Sequence, residues 1–231
     1  MTFYHSVWAT KNLHSLRSSQ VAAFAKILFF YIMCVTIWLW ADGIYDFSTS
    51  LRRAAFNITS IVTSTGFVSC DYLKWSIFAG TMFIVFALTG GCTGSTSGSI
   101  KIFRWQVVFA YLKKALIITT EPNRLVPLKI GQSNVSHEIT GSIFTFLTIY
   151  SLSIAVLTLL VSFCGSDFIT SFSAVVACMT NSGPGIGNII GPSGNYSTLT
   201  DTAKYILAFA MIFGRLEVMT VIVIFTKNFW K

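Results

Sequence analysis

The stretch Ile58-Thr59-Ser60-Ile61-Val62-Thr63-Ser64-Thr65-Gly66-Phe67, ITSIVTSTGF, decides how this chain is read. It closes a short apolar run, Ala54 to Val62, with a hydroxyl-rich turn at a glycine. A hydrocarbon core of ~30 Å takes about 20 helical residues to cross, so this run stops half-way. A second run of the same kind, Phe168 to Met179, leads into Thr180-Asn181-Ser182-Gly183-Pro184-Gly185. Gly183 follows Gly66 by 117 residues, and each short run lies between two long apolar ones. The long runs are Val21 to Ala41, Trp75 to Leu112 with an interruption, Thr140 to Phe163, and Thr202 to Thr226. The order helix, half-segment with glycine turn, helix therefore occurs twice, as an internal duplication.

Composition supports the same reading. Of 231 residues, 54% are hydrophobic and 10% charged, against about 25% charged in soluble domains. Mean hydropathy is +0.70. The expected fold is an all-α integral membrane protein with two helix–pore-loop–helix repeats: four spanning helices plus two re-entrant pore helices. Net charge is +8. A nucleic-acid face needs a soluble domain to carry it, so the basic residues read as cytoplasmic flanks of membrane spans. The five cysteines are odd in number and contain no CxxC, which gives neither a disulfide framework nor a metal site. His5, His14 and His137 lie in polar flanks with no carboxylate cluster. No catalytic constellation and no cofactor is expected.

Charge placement sets the orientation. Lys11 and Arg17 precede the first long run, Lys101, Arg104, Lys113, Lys114, Arg124 and Lys129 fill the region from the end of the second to the start of the third, and Lys227 and Lys231 close the chain. These regions share the cytoplasmic side, so both termini are cytoplasmic and both half-segments dip in from outside. The expected division is residues 1–20 as a cytoplasmic lead-in, 21–112 as the first repeat with a broken second helix, 113–137 as a cytoplasmic linker and 138–231 as the second repeat. The first twenty residues lack the apolar core of a signal peptide. Asp71, Asp167 and Asp201 fall at the outer side, where they read as a solvated rim or as a means of raising cation concentration by field focusing.

Non-helical backbone at membrane depth survives only where protein buries it or water reaches it. A short helix descending from outside aims its partially negative C-terminal end at the membrane centre, which favours a cation. The turn after it offers carbonyl and hydroxyl oxygens, the ligands a hard monovalent cation takes in place of its hydration shell. Glycine permits the backbone conformations such a turn requires. Carbonyl oxygens carry no signature of one particular ion.

The residues ITSIVTSTGF, LTGGCTGSTSGSIKIFR, PNRLVPLKIG, MTNSGPGIG and GRLEVMTVIVIFTKNFWK occur in this order over nearly the whole chain. Together they resemble the C-terminal half of the Trk/Ktr/HKT superfamily, the TrkH-type potassium uptake subunits in particular. The resemblance implies four pore-loop repeats around one K+ pathway in a bacterial inner membrane. It also implies homodimers of complete units and a cytoplasmic nucleotide-binding regulatory subunit. By this resemblance Thr63, Ser64, Thr65, Gly66 and Phe67 match the filter of the third repeat. Thr180, Asn181, Ser182 and Gly183 match that of the fourth, with K+ as the transported ion at both.

The same resemblance makes the segment holding Gly90, Gly91, Gly94 and Gly98 an intramembrane loop that gates the pore, with Arg215 facing it. Other readings stand beside these. Gly90, Gly94 and Gly98 are also spaced as a G-x-x-x-G packing face, and Arg215 also reads as a structural charge satisfied by a neighbouring helix. Two repeats are half of the family's four, so the expected partner is an N-terminal half or a second copy. Residues 1–20 read as an interior connector, in keeping with a split gene. The alternatives are a non-conducting fragment or assembly component, and a secondary transporter for another solute.

Overall fold

The computed structural model describes residues 19–216, apart from 96, 122–123, 125–126, 131–132 and 188. The first half contains α1 (Ser19–Ala41), α2 (Phe47–Val62), a 3-10 turn at Tyr72–Lys74, α3 (Ile77–Leu88) and α4 (Ile102–Thr120). A two-residue antiparallel pair follows, β1 (Lys129–Ile130) with β2 (Ser133–Asn134). The second half contains α5 (His137–Phe163), α6 (Phe168–Thr180), a 3-10 turn at Tyr196–Thr198 and α7 (Asp201–Arg215). The order long helix, short helix, helix therefore appears in both halves.

Helix starts follow capping chemistry. The Ser76 hydroxyl accepts from the Phe78 N–H at 3.1 Å, Ser136 from Ile139 at 3.3 Å, Asp167 from Thr170 at 3.2 Å and Thr200 from Ala203 at 3.4 Å. Each satisfies one amide that the first helical turn leaves without a partner. Among the described residues, α1 and α5 are the two helices long and apolar enough to cross a bilayer. Both carry large apolar side chains on their outer faces, including Phe29, Phe30, Leu159 and Phe163.

Each half has its own core. In the first, Val35, Leu39, Ile58, Tyr72, Phe83 and Phe86 pack together. There the Tyr72 ring stacks on Phe83 at 4.0 Å between centroids. In the second, Phe146, Tyr150, Val161, Val175, Met179 and Leu207 do the same. One residue of the first half, Ile100, lies in the core of the second. The halves meet where α3 packs against α6.

The predicted second span is broken, and its boundaries differ from the expectation. Helix α4 runs to Thr120, into the stretch expected to be linker. Lys113-Lys114-Ala115-Leu116-Ile117-Ile118 contains no helix breaker, and the chain first meets proline at Pro122, which disfavours helix in the residue before it. The break itself is a loop between Thr89 and Lys101 with a pinched base. Gly90 N–H donates to the Ile100 carbonyl at 2.9 Å, Ile100 N–H to Leu88 at 3.2 Å, and Ile102 N–H to Gly91 at 3.1 Å. The predicted fourth span is described as far as Leu216, so its portion from 217 onward, with Glu217, lies outside the described residues.

Candidate functional site

The two glycine turns have the same backbone. Ser64 has φ 56 and Asn181 φ 55, the two non-glycine residues with positive φ among those described. Two positions later Gly66 has φ 84 and Gly183 φ 92. The hydrogen bonds repeat in the same register. Ser64 N–H donates to Ile61 and Thr65 N–H to Ser60, at 3.0 and 2.8 Å. In the second copy Asn181 N–H donates to Cys178 and Ser182 N–H to Ala177, at 3.1 and 3.0 Å. Every one of these atoms has its counterpart 117 residues away.

The hydroxyls repeat as well. Thr63 Oγ1 donates to the Thr59 carbonyl at 2.7 Å, and Thr180 Oγ1 to Val176 at 2.8 Å. Thr63 Oγ1 meets Thr65 Oγ1 at 2.8 Å, and Thr180 Oγ1 meets Ser182 Oγ at 3.0 Å. Each threonine proton is thus committed to its own helix, and what remains toward the turn is oxygen lone pairs. Both short helices direct their C-terminal, partially negative ends at these turns.

The turns touch. A Cβ added at Gly66 would come within 2.8 Å of the Ser182 carbonyl oxygen, so any larger residue there forces the turns apart. Thr180 and Ser182 are buried, whereas Thr63, Thr65 and Phe67 are exposed. Thr180 and Ser182 are thus enclosed while Gly183 stays exposed, and the first turn presents an open face.

The glycine-rich loop lies directly against both turns. Ser64 Oγ donates to the Thr180 carbonyl at 3.1 Å and meets Ser97 Oγ at 3.0 Å, and Ser97 meets Ser99 at 2.7 Å. Each hydroxyl has one proton, so the chain of donors runs Ser99 to Ser97 to Ser64 to Thr180. Gly98 packs on the second turn: a Cβ there would lie 2.6 Å from Asn181 Nδ2 and 2.9 Å from the Met179 carbonyl oxygen. Gly214 of α7 approaches that same carbonyl so closely that a side chain would overlap it. Asn181 Nδ2 also donates to the Met211 carbonyl of α7 at 3.3 Å. Loop, second turn and α7 thus converge at the end of α6, and Arg215 follows Gly214 directly.

Gly90 and Gly91 form the base of the loop, and Gly94 its exposed outer part at φ 89. Gly90, Gly94 and Gly98 all lie outside helices, so they make no G-x-x-x-G helix face.

Three polar residues that hold the turns have no site role in the sequence reading. Buried Asn57 of α2 donates to Ser69 Oγ at 2.9 Å and accepts from Ser69 N–H at 3.0 Å. Ser173 of α6 donates to the Ile186 carbonyl at 3.0 Å, and Ile186 is the counterpart of Ser69 at the same 117-residue spacing. Each short helix thereby pins the segment that leaves its turn. Tyr196 Oη donates to the Gly183 carbonyl at 2.8 Å. The available signal was a polar side chain inside a short apolar helix, legible for Asn57 but not for Tyr196.

At the N-terminal end of α6, Asp167 is held below the usual carboxylate range, first by the Thr170 side chain and then by the Thr170 amide.

Comparison with known proteins accords with this architecture. The potassium uptake protein TrkI of Halomonas elongata is 38% identical over 216 residues, covering 94% of this chain and 44% of that protein. TrkG of Escherichia coli is 30% identical over 231 residues, covering all of this chain and 47% of its own length. The crystal structure of the potassium transporter TrkH from Vibrio parahaemolyticus superposes with a TM-score of 0.91 at 26% identity, over 100% of this chain and 49% of that one. The chain thus spans about half the length of the relatives it matches. The family described as TrkH, cation transport protein, matches residues 21–231, and on that match this chain belongs to the TrkH family of cation transport proteins.

Proposed function

We propose that this chain supplies two of the four selectivity-filter segments of a K+ uptake pore. The observation that carries the reading is the duplicated turn. Two short helices end in backbones of the same shape, 117 residues apart, with left-handed residues at Ser64 and Asn181 and glycines at 66 and 183. Carbonyl oxygens at Thr63 to Phe67 and at Thr180 to Gly183 would replace the hydration shell of K+, and the helix ends would add a favourable field. The loop carrying Gly90, Gly91, Gly94 and Gly98, whose Ser97–Gly98 part is seated against both turns, would be the obstruction a gate requires, and Arg215, next to Gly214 at the end of α7, would supply a positive charge to it.

The open face of Thr63 and Thr65 is where the next wall belongs. A complete ring takes two further turns, from an N-terminal half or a second copy, because polar backbone cannot face lipid. The same proposal places the chain in the bacterial inner membrane as a multi-pass protein. Both termini, residues 1–20 and the linker region 113–137 are then cytoplasmic, and 21–112 and 138–231 are the two repeats. Dimerisation of complete units and a cytoplasmic nucleotide-binding regulatory subunit rest on kinship with the Trk potassium uptake proteins.

The test is Rb+ uptake in a strain lacking K+ uptake, with this chain expressed alone and with the segment that completes the ring. Uptake only in the second case is expected. Absence of uptake in both cases overturns the reading in favour of a non-conducting component.

A further inference from the structure

The second turn contains a peptide plane that cannot be held in the ordinary way. The bond between Gly183 and Pro184 has no N–H, since proline lacks one. It lies between Gly183, at φ 92, and Pro184, with Gly185 one residue further on. Only its carbonyl offers a handle, and Tyr196 takes it, with the hydroxyl donating at 2.8 Å. The first turn differs: Gly66 is followed by Phe67, whose peptide keeps its N–H.

Tyr196 is itself well anchored. Its ring packs against the second core, and it opens a 3-10 turn capped by Asn195, which accepts from the Ser197 N–H at 3.0 Å. Asn195 N–H donates to Ile189 at 3.0 Å and Gly185 N–H to Ile190 at 2.8 Å, so the segment after the turn folds back on itself. A carbonyl oxygen has two lone pairs. With one engaged by Tyr196, the other remains, at an exposed residue, for a cation in the pore reading.

We infer that Tyr196 is a positioning residue that orients the Gly183 carbonyl and thereby sharpens K+ over Na+ discrimination. The inference rests on the pore reading above. Na+ is smaller and rewards a carbonyl that moves inward, and a carbonyl restrained from outside resists that movement. Tyr196→Phe removes the hydroxyl and keeps the ring.

In the complete transporter, Tyr196→Phe is expected to lower the ratio of Rb+ to Na+ uptake about three- to tenfold, the range a single net hydrogen bond supports, while Rb+ uptake itself persists. Substitution of 3-fluorotyrosine at 196, which keeps the donor, is expected to preserve the wild-type ratio. An unchanged ratio in Tyr196→Phe overturns the inference while leaving the pore reading intact. Absence of uptake in the wild type removes the pore reading, and selectivity with it. The contact has a separate readout that needs no ion flux. The 13C resonance of a labelled Gly183 carbonyl should move upfield in Tyr196→Phe, and a resonance that stays in place shows that Tyr196 does not hold it.

Discussion

Four residues per turn carry most of the meaning of this site. Ser64 and Asn181 occupy left-handed backbone that costs an L-residue roughly 1–2 kcal/mol. Both use their side chains there, Ser64 on the Thr180 carbonyl and Asn181 on the Met211 carbonyl. Gly66 meets two demands at once, with φ 84 and the Ser182 carbonyl oxygen 2.8 Å from where a Cβ would stand. Gly66→Ala is therefore expected to reduce Rb+ uptake of the complete transporter by tenfold or more while the protein still reaches the membrane. Uptake within twofold of wild type would show that the turns do not need this close approach. These glycines were legible in the sequence because each closes an apolar run too short to span a bilayer, and because the pattern occurs twice. Tyr196 was not, because its partner lies thirteen residues away across a loop that has no periodicity to read.

At the scale of elements, the short helices and the broken one matter most. α6 is capped by Asp167, whose carboxylate accepts from Thr170 and is held below its ordinary range. A carboxylate whose folded value is depressed contributes stability above its unfolded pKa and loses it as the pH falls through the folded value. Asp167→Ala is expected to cost about 1 kcal/mol at neutral pH, a typical loss for an N-cap. The difference from wild type should close as the pH drops below the carboxylate range. Unfolding in micelles over a pH series checks this, and a difference that persists in acid would show that the cap acts without its charge. The break in the second span was legible from four glycines within nine residues. The pinched base was not, because the bonds joining Gly90 to Ile100 and Gly91 to Ile102 close a loop whose ends sequence patterns treat as unrelated. The extension of α4 to Thr120 was missed because two lysines read as the end of a membrane span, whereas a helix continues past a membrane edge until a breaker stops it.

At the scale of the whole molecule, the described residues form two cores that meet along α3 and α6. Leu39 is buried in one and Leu207 in the other. Lipid is as apolar as leucine, so removing either side chain should cost chiefly the cavity part, on the order of 1–2 kcal/mol. Distant sites with no shared partner usually add within about 0.5 kcal/mol. The double variant Leu39→Ala with Leu207→Ala is expected to equal the sum of the single changes when measured by unfolding in micelles. A coupling above about 1 kcal/mol would show that the cores act as one. Between them runs the loop from Thr89 to Lys101, closed at its base and anchored by Ile100 in the opposite core. A hoop stapled at its neck can tilt or flatten, but it cannot lengthen by drawing turns out of α3 or α4. Displacement of its rim would then leave the helix ends at constant separation. Distance probes placed on those ends would stay silent while the rim moved, and any pull on the hoop would be passed to the far repeat at Ile100 and at the close contact of Gly98 with Asn181 and Met179.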